Sequence, residues 1–242
     1  MSAIINIVLL CFFVLVFLPS DGNSEPKIFA AKKLGIEGNI PTKNDLIRPF
    51  ESPFLVTLDQ AGKRHKLRLT SCQDYLRRNV RKHILDTDNP ADYPVLKYQA
   101  VPCKAMALLK SAKIPKRTAL PPNFSAELQT SNYSATLWPA ISNDEVEELS
   151  RPGLTLEKAT GQPSFRGRDP DILEMEAEDM FLRMTLLGRG DFDHDGWEDA
   201  VFLWQSHVLK GTYSNADAVV LTRNDPKAVF RQLDVDKLLD GK

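Results

Sequence analysis

The densest group of carboxylates in the chain lies between residues 191 and 199. Asp191, Asp193 and Asp195 alternate along the sequence, and Gly196 follows directly. Alternate carboxylates can converge on one point when the chain turns, and a glycine permits the sharp reversal that such a turn needs. Because closely spaced carboxylates repel one another, the pattern predicts a bound cation. Ca²⁺ is the expected ion, since it takes about six to eight hard oxygen ligands.

Two further oxygen ligands are available in the same loop. The backbone carbonyl of Trp197 and the carboxylate of Asp199 would extend the shell, and water would complete it. A solvated acidic hairpin without an ion is the alternative. An EF-hand is disfavoured, because Phe202 stands where that motif has a bidentate glutamate and the flanking residues have the pattern of strands.

Residues 190–196, followed by Asp199 and an apolar strand, resemble the calcium loop of FG-GAP/VCBS-type repeats in secreted bacterial and cell-surface proteins. The resemblance is confined to this loop, and it implies a structural calcium ion held between two β-strands. The ligands that it implies are the side chains of Asp191, Asp193, Asp195 and Asp199. The chain departs from the family at His194, where a small residue is usual, and in having one copy of the loop. A propeller is therefore not expected.

No comparable pattern surrounds the other residues that could do chemistry. The four histidines, His65, His83, His194 and His207, are scattered along the chain. The sequence has no Gly-x-Ser-x-Gly, His-Glu-x-x-His, phosphate-binding glycine loop or zinc-ligand spacing. A dispersed Ser/His/Asp site stays open as an alternative.

The N-terminus predicts export. Residues 4–18 contain a single polar side chain, Asn6, and are followed by Pro19 and a run of small or polar residues. A helix of this length is shorter than the hydrocarbon core of a bilayer, which is about 30 Å thick. We therefore predict a signal peptide over residues 1–24, with an uncleaved anchor as the alternative and the cleavage position left open. The expected location is the periplasm or the extracellular space, without stable membrane insertion.

Loss of the signal peptide leaves two cysteines, Cys72 and Cys103. In an oxidising compartment two cysteines predict one disulfide, and two separate buried thiols are the alternative. On the chain-entropy model, closing a loop of this length restricts the unfolded chain by roughly 3 to 4 kcal/mol.

The charge of the chain is balanced. It has 31 Lys and Arg against 32 Asp and Glu, and 43% of its residues are hydrophobic. A neutral chain has no overall field that would attract nucleic acid or anionic lipid, so neither is expected as a partner. The composition is typical of a globular protein.

The elements that position these residues predict an α+β fold with two lobes, each with a small antiparallel sheet and flanking helices. The expected lobes are residues 25–115 and 135–242, and residues 116–134, rich in Pro, Ser and Asn, are expected to link them. In the first lobe, residues 54–58 and 66–69 predict a hairpin with Leu67 and Leu69 inward. Two helices are expected after it, from Cys72 to about Ile84 and from Pro102 to about residue 113.

The second lobe is expected to present the calcium loop on a β-hairpin. Strands are predicted at 181–187, 200–204 and 218–222, and the loop lies between the first two. Ser142 should cap an acidic helix over 143–149, and a final helix is predicted at about 227–239.

Together these features predict an exported, calcium-stabilised protein that acts by binding a protein partner rather than by catalysis. One concrete role is a periplasmic inhibitor or immunity protein that blocks a secreted toxic enzyme. The alternative function is a periplasmic or extracellular hydrolase with its site at the boundary between the lobes.

Overall fold

The computed structural model describes residues 27–28, 41–126, 129–161 and 163–241. The predicted signal peptide, residues 1–24, lies outside these ranges. Over the described residues the fold is a mixed α+β arrangement, as predicted. None of the helices in these ranges is both long and apolar enough to span a bilayer.

The strands form two antiparallel sheets. They are β1 (Lys27–Ile28), β2 (Pro49–Gln60), β3 (Lys63–Ser71), β4 (Ile84–Thr87), β5 (Ser164–Asp169), β6 (Ile172–Ala177), β7 (Met180–Gly190), β8 (Asp199–Val208), β9 (Ser214–Thr222) and β10 (Arg231–Leu233). The smaller sheet has the order β3-β2-β4, and the larger has the order β10-β9-β8-β7-β6-β5, with β1 also paired to β7. In the larger sheet the strands from β5 to β10 are neighbours in chain order, a meander, and the described strands form no propeller blades.

Seven α-helices are described. They are α1 (Lys43–Ile47), α2 (Cys72–Leu76), α3 (Arg78–Arg81), α4 (Asp92–Ser111), α5 (Asn143–Leu149), α6 (Leu156–Thr160) and α7 (Val235–Asp240). The longest, α4, packs against both sheets. Its buried Leu108 belongs to a hydrophobic cluster that includes Val56 and Leu69 of the small sheet and Val201 and Val220 of the large one. The two predicted lobes therefore share a core.

The described residues of the segment 116–134, predicted as a linker, pack against the other face of the large sheet. Leu120, Phe124 and Tyr133 are buried there against β-strand side chains such as Phe202. The prolines and polar residues of this segment keep its backbone irregular, but its aromatic side chains bury too much apolar surface to stay in solvent. The segment is a layer of the fold and not an exposed linker.

The predicted N-terminal hairpin is confirmed. Strands β2 and β3 pair through a tight turn in which Gly62 has a φ of 78°. Leu69 is buried and Leu67 partly buried, whereas Lys66 and Arg68 are exposed. The three predicted C-terminal strands and the acidic helix α5 are confirmed as well.

The predicted helix from residue 72 to about residue 84 is instead two short helices and a strand. Ser71 caps α2 as predicted, its hydroxyl accepting a hydrogen bond from the Asp74 amide at 3.3 Å. The chain then becomes extended at Arg77, whose ψ is 127°, and resumes as α3. Ile84 begins β4, which pairs with β2. Apolar spacing alone does not reveal one extended residue between two helical turns.

Two other helix boundaries differ from the prediction. Helix α4 begins at Asp92, so Pro102 lies inside it rather than in its first turn. An interior proline costs about 3 kcal/mol, which burial of the apolar side of α4 offsets. Near the C-terminus, residues 231–233 pair with β9 as β10, and this leaves a final helix over Val235–Asp240 only.

The Cys72–Cys103 disulfide is present, with 5.0 Å between the two Cα atoms. Cys72 is the first residue of α2, and Cys103 lies in the middle of α4. Both are buried. The disulfide therefore joins the small helix after the hairpin to the long helix that packs on both sheets.

Candidate metal centre

The acidic loop joins β7 to β8, so a β-hairpin positions it as predicted. Gly190 and Asp199 are paired at the mouth of the loop. One carboxylate oxygen from each of Asp191, Asp193 and Asp195 lies within 4.8 Å of the other two. The alternation of carboxylates in the sequence thus becomes a cluster in space, and this cluster could hold a metal ion.

Hydrogen bonds within the loop fix the orientation of each carboxylate. The Gly196 amide donates to Oδ2 of Asp191 at 3.1 Å, and the Asp195 amide donates to Oδ1 of Asp193 at 3.1 Å. The Trp197 amide donates to Oδ1 of Asp195 at 2.7 Å. Each aspartate accepts one backbone hydrogen bond within the turn, and of the three Asp191 is buried while Asp193 and Asp195 are exposed.

Two residues in the loop have positive φ values, 67° at His194 and 89° at Gly196. Glycine adopts this conformation without strain, which explains its place after the third aspartate. A histidine in the left-handed region is uncommon. Its Nε2 atom lies 3.3 Å from the backbone carbonyl oxygen of Ser111 at the end of α4. This contact accounts for a larger side chain where the resembling loops have a small one.

Two carboxylates in the loop region are buried with an oxygen that lacks a hydrogen bond. Asp191 is 3% exposed and Asp199 is 0% exposed. Within the described residues, Oδ1 of each has no hydrogen-bond partner. A buried carboxylate oxygen without a donor is costly, typically by about 1 to 3 kcal/mol or more for a charged group. A cation is the partner that would satisfy the Asp191 oxygen, which belongs to the three-aspartate cluster.

The surroundings of Asp199 oppose its ionisation. Burial raises the pKa of Asp199 to about 7, although hydrogen bonds from the Thr222 side chain and the Phe192 amide act in the opposite direction. The charges of Asp193 and Asp195 raise it further. Burial likewise raises the pKa of Asp193, to which the neighbouring Asp195 and Asp191 contribute by repulsion. A nearby cation would relieve this repulsion and favour the ionised forms.

Residues 113–122, which we call the strap, lie against the acidic loop and are hydrogen-bonded to it. The Lys113 amide donates to the Asp191 carbonyl at 3.0 Å, and the Asp191 amide donates back to the Lys113 carbonyl at 3.1 Å. The amides of Lys116 and Arg117 both donate to the Gly196 carbonyl. The Arg117 guanidinium also lies 4.2 Å from the centre of the Trp197 ring. The loop is thereby tied to the chain that leaves α4.

Below the loop, a buried ion pair continues the link to the strap. Arg189 Nη1 lies 3.5 Å from Oε2 of Glu198, and Arg189 Nη2 donates to the Pro121 carbonyl at 2.6 Å. The Thr118 hydroxyl donates to the same Glu198 oxygen at 2.7 Å. Sequence reasoning missed these partners, because more than 60 residues separate Arg189 from Pro121. The sequence signal for this ion pair is limited to the position of Arg189 and Glu198 at the two ends of the acidic loop.

The predicted site residues therefore fall into two groups. The side chains of Asp191, Asp193 and Asp195 converge, whereas Asp199 lies at the base of the hairpin and accepts a hydrogen bond from the Phe192 amide at 2.9 Å. Trp197 lies in the loop beneath Arg117. The roles of the Asp199 carboxylate and the Trp197 carbonyl as ligands stay predictions.

Two of the four scattered histidines, His194 and His207, make contacts that do not form a Ser/His/Asp site. His194 contacts the backbone carbonyl of Ser111, and the ring of His207 packs on Phe181 with 4.9 Å between the ring centres. These partners are a peptide oxygen and an aromatic ring, not a serine hydroxyl that a histidine could activate.

No family model, curated protein or solved structure matches this chain. The likeness of residues 190–199 to FG-GAP/VCBS loops therefore stays a prediction. The case for a metal site rests on the geometry of the three converging aspartates and on the buried, unpartnered oxygen of Asp191.

Proposed function

We propose that the loop 191–199 binds one structural Ca²⁺ ion and that the protein is an exported, calcium-stabilised binding protein without catalytic activity. The observation that carries the metal assignment is the convergence of Asp191, Asp193 and Asp195 around a buried Asp191 oxygen that has no hydrogen-bond partner among the described residues. An acidic cluster alone would not suffice, since exposed carboxylates often lie close together in the absence of an ion.

The chemistry of the donors favours calcium over the other common ions. All the ligands would be oxygens: the three clustered carboxylates, with the Trp197 carbonyl and the Asp199 carboxylate as further candidates. Zinc and the later transition metals prefer nitrogen or sulfur ligands, and Mg²⁺ demands a strict octahedral shell and retains water. Outside the cytoplasm calcium is abundant, and extracellular modules bind it with a dissociation constant of about 10⁻⁴ to 10⁻³ M.

The expected effect of the ion is to stabilise the fold rather than to act as a switch. A bound cation would offset repulsion among the aspartates and fix the loop to which residues Lys113, Lys116 and Arg117 of the strap are hydrogen-bonded. The ion would thereby help to hold the C-terminal end of α4 against the large sheet. A structural role of this kind fits an ion that is always present in the compartment.

The proposed binding role concerns a protein partner, such as a secreted enzyme that the chain would inhibit. The Cys72–Cys103 disulfide supports an oxidising location. The contacts of His194 and His207 favour binding over hydrolysis, because they leave neither ring positioned by a serine and a carboxylate. If the immobilised, calcium-loaded protein retains no secreted enzyme and alters the activity of none, the inhibitor role is wrong.

The metal site is tested by isothermal titration of the purified, chelator-treated protein with CaCl₂. The wild type should bind one ion with a dissociation constant of about 10⁻⁴ to 10⁻³ M. Asp193→Ala removes an exposed ligand and should abolish the binding. Glu147→Ala, which removes an exposed carboxylate on α5 instead, should bind as the wild type does. Equal binding by the wild type and Asp193→Ala would exclude this loop as the calcium site.

A further inference from the structure

A groove in the C-terminal half lies between α5 and the turn that joins β6 to β7. It encloses about 390 Å³. Apolar side chains form much of its lining, among them Trp138, Leu149, Met180 and Val208. The groove lies outside the loop 191–199 and the strap, so it is distinct from the proposed metal site.

Carboxylates predominate at the rim of this groove. Its charged lining consists of Glu145, Glu148, Glu178 and Asp179 against Arg151 and Lys158. Four carboxylates against two cations give the lining a net charge of −2, and the exposed pair of Arg151 Nη1 and Oε1 of Glu148, 3.7 Å apart, leaves this sum unchanged. The remaining excess of negative charge faces an apolar interior, although the chain as a whole is nearly neutral.

Helix α5, which forms one wall, leaves apolar surface uncovered. The helix buries none of its own residues. Ile141, just before its N-terminus, lines the groove and is 63% exposed, and Val146 in the centre of the helix, outside the groove, is 52% exposed. Large apolar side chains grouped at the edge of a groove and rimmed by charges are typical of protein-binding surfaces.

We propose that this groove binds a basic, amphipathic segment of a partner protein, with leucine-like side chains in the apolar interior and lysine or arginine at the rim. The inference deepens the proposed binding role and rests on it. Lysine and arginine suit the place, because their aliphatic stems cover apolar surface while their charged ends reach carboxylates. The net negative charge of the lining, four carboxylates against two cations, would also attract a cationic segment before contact.

The charge pattern distinguishes this occupant from two others. A neutral small molecule would gain nothing from four rim carboxylates, and binding it would not depend on salt. A second copy of this chain would have to present an apolar, basic surface, and its contact would appear as a dimer. A basic segment of a different protein uses both properties of the groove, the apolar lining and the excess of negative charge.

The test uses a fluorescent peptide of repeating lysine and leucine as the probe, with a glutamate-leucine peptide of the same length for comparison. Fluorescence anisotropy is measured with the full protein in calcium. The basic peptide should bind, and more weakly at high salt, whereas the acidic one should not. Glu148→Lys, which reverses a rim charge, should weaken binding about three- to tenfold. The matched control is Glu147→Lys, which makes the same change on the same helix outside the groove and should have a much smaller effect.

Equal binding of the basic peptide by the wild type and Glu148→Lys would overturn the proposal, as would equal binding of both peptides. A neutral apolar dye that binds the groove while neither peptide does would indicate a small-molecule site instead. Sedimentation of the wild type as a dimer that Glu148→Lys dissociates would indicate a contact between copies. The melting response to calcium, measured on the same samples, reports the metal site separately, so failure of one proposal is distinguishable from failure of the other.

Discussion

Two regions of the molecule are secured to the long helix α4 by different physical means. Near the middle of the helix, a covalent bond joins Cys103 to Cys72 at the start of α2. Just beyond its C-terminal end, backbone hydrogen bonds join Lys113 to Asp191 of the acidic loop. The first link needs an oxidising environment and nothing else. The second link joins α4 to a loop of clustered carboxylates. Its stability should therefore depend on the cation concentration and on the pH.

Helix α4 packs on two sheets, and the surroundings of its two links differ in polarity. The disulfide side has apolar surroundings, since Cys72 and Cys103 are both buried in the shared core. The loop side is polar and contains three buried carboxylates, Asp191, Glu198 and Asp199. One region is therefore expected to be insensitive to solution conditions and the other to be sensitive to them.

The largest effect is expected from loss of the disulfide. Replacing Cys72 and Cys103 together by serine should lower the free energy of unfolding by roughly 3 to 4 kcal/mol, because the unfolded chain loses a closed loop. Urea denaturation measures the change. The loss should be the same in calcium and in chelator, since both cysteines lie outside the acidic loop. A loss that vanishes in chelator would show that the two links are not independent.

Chelation is expected to have the next largest effect. The expected dissociation constant is about 10⁻⁴ to 10⁻³ M. At a calcium concentration of about 10 mM, the bound ion should therefore add roughly 1.4 to 2.7 kcal/mol to the free energy of unfolding. The comparison is between urea curves in calcium and in EDTA. Asp193→Ala should give the same curve in both. The same stabilisation in that variant would place the ion elsewhere.

The pH dependence should differ between the calcium-loaded and the chelated protein. Burial raises the pKa of Asp199 to about 7, whereas the unfolded chain releases this proton near pH 4. Between these values the folded state binds more protons, so stability falls as the pH rises. Asp199 alone should contribute a loss of about 1 to 2 kcal/mol from about pH 5.5 to about pH 7 in chelator. Calcium should reduce this slope.

The control for that slope is Asp199→Asn, which keeps a side-chain oxygen for the Phe192 amide but cannot ionise. Its urea midpoint in chelator should lose the part of the pH dependence that Asp199 contributes. An unchanged slope in this variant would mean that the raised pKa belongs to another group.

The smallest effect is expected at the start of α2, next to the disulfide. Ser71→Ala removes the hydroxyl that accepts a hydrogen bond from the Asp74 amide. Loss of such a cap costs about 1 kcal/mol. Thermal melts should show this decrease equally in calcium and in chelator. A decrease that appears only in chelator would extend the influence of the loop to this helix and weaken the contrast between the regions.

Local pattern was sufficient to predict the features that depend on short stretches of chain. The β2–β3 hairpin, the cap at Ser71, the helix after Ser142 and the position of the acidic loop between two strands all follow from a few neighbouring residues. The convergence of Asp191, Asp193 and Asp195 follows from their alternation around a turn. The disulfide needed only the count of two cysteines that remain when the predicted signal peptide is set aside.

Features that depend on distant contacts were not predictable. Pro102 lies inside α4 because packing on two sheets outweighs the local preference for a break. Residues 231–233 became a strand because β9 offers them an edge. The strap and the Arg189–Glu198 pair join residues far apart in the chain, so no local pattern marks them. At the candidate metal site, the sequence thus predicts the clustered aspartates but not the residues that support them.

The central claim, a structural calcium ion in the loop 191–199, is tested most directly by a crystal structure of the protein grown with calcium. The expected result is one ion bound by carboxylate oxygens of Asp191, Asp193 and Asp195 at about 2.3 to 2.6 Å. Strong anomalous signal at that position would identify calcium. The contradictory result is a well-ordered loop in which the three carboxylates contact only water and backbone amides despite saturating calcium.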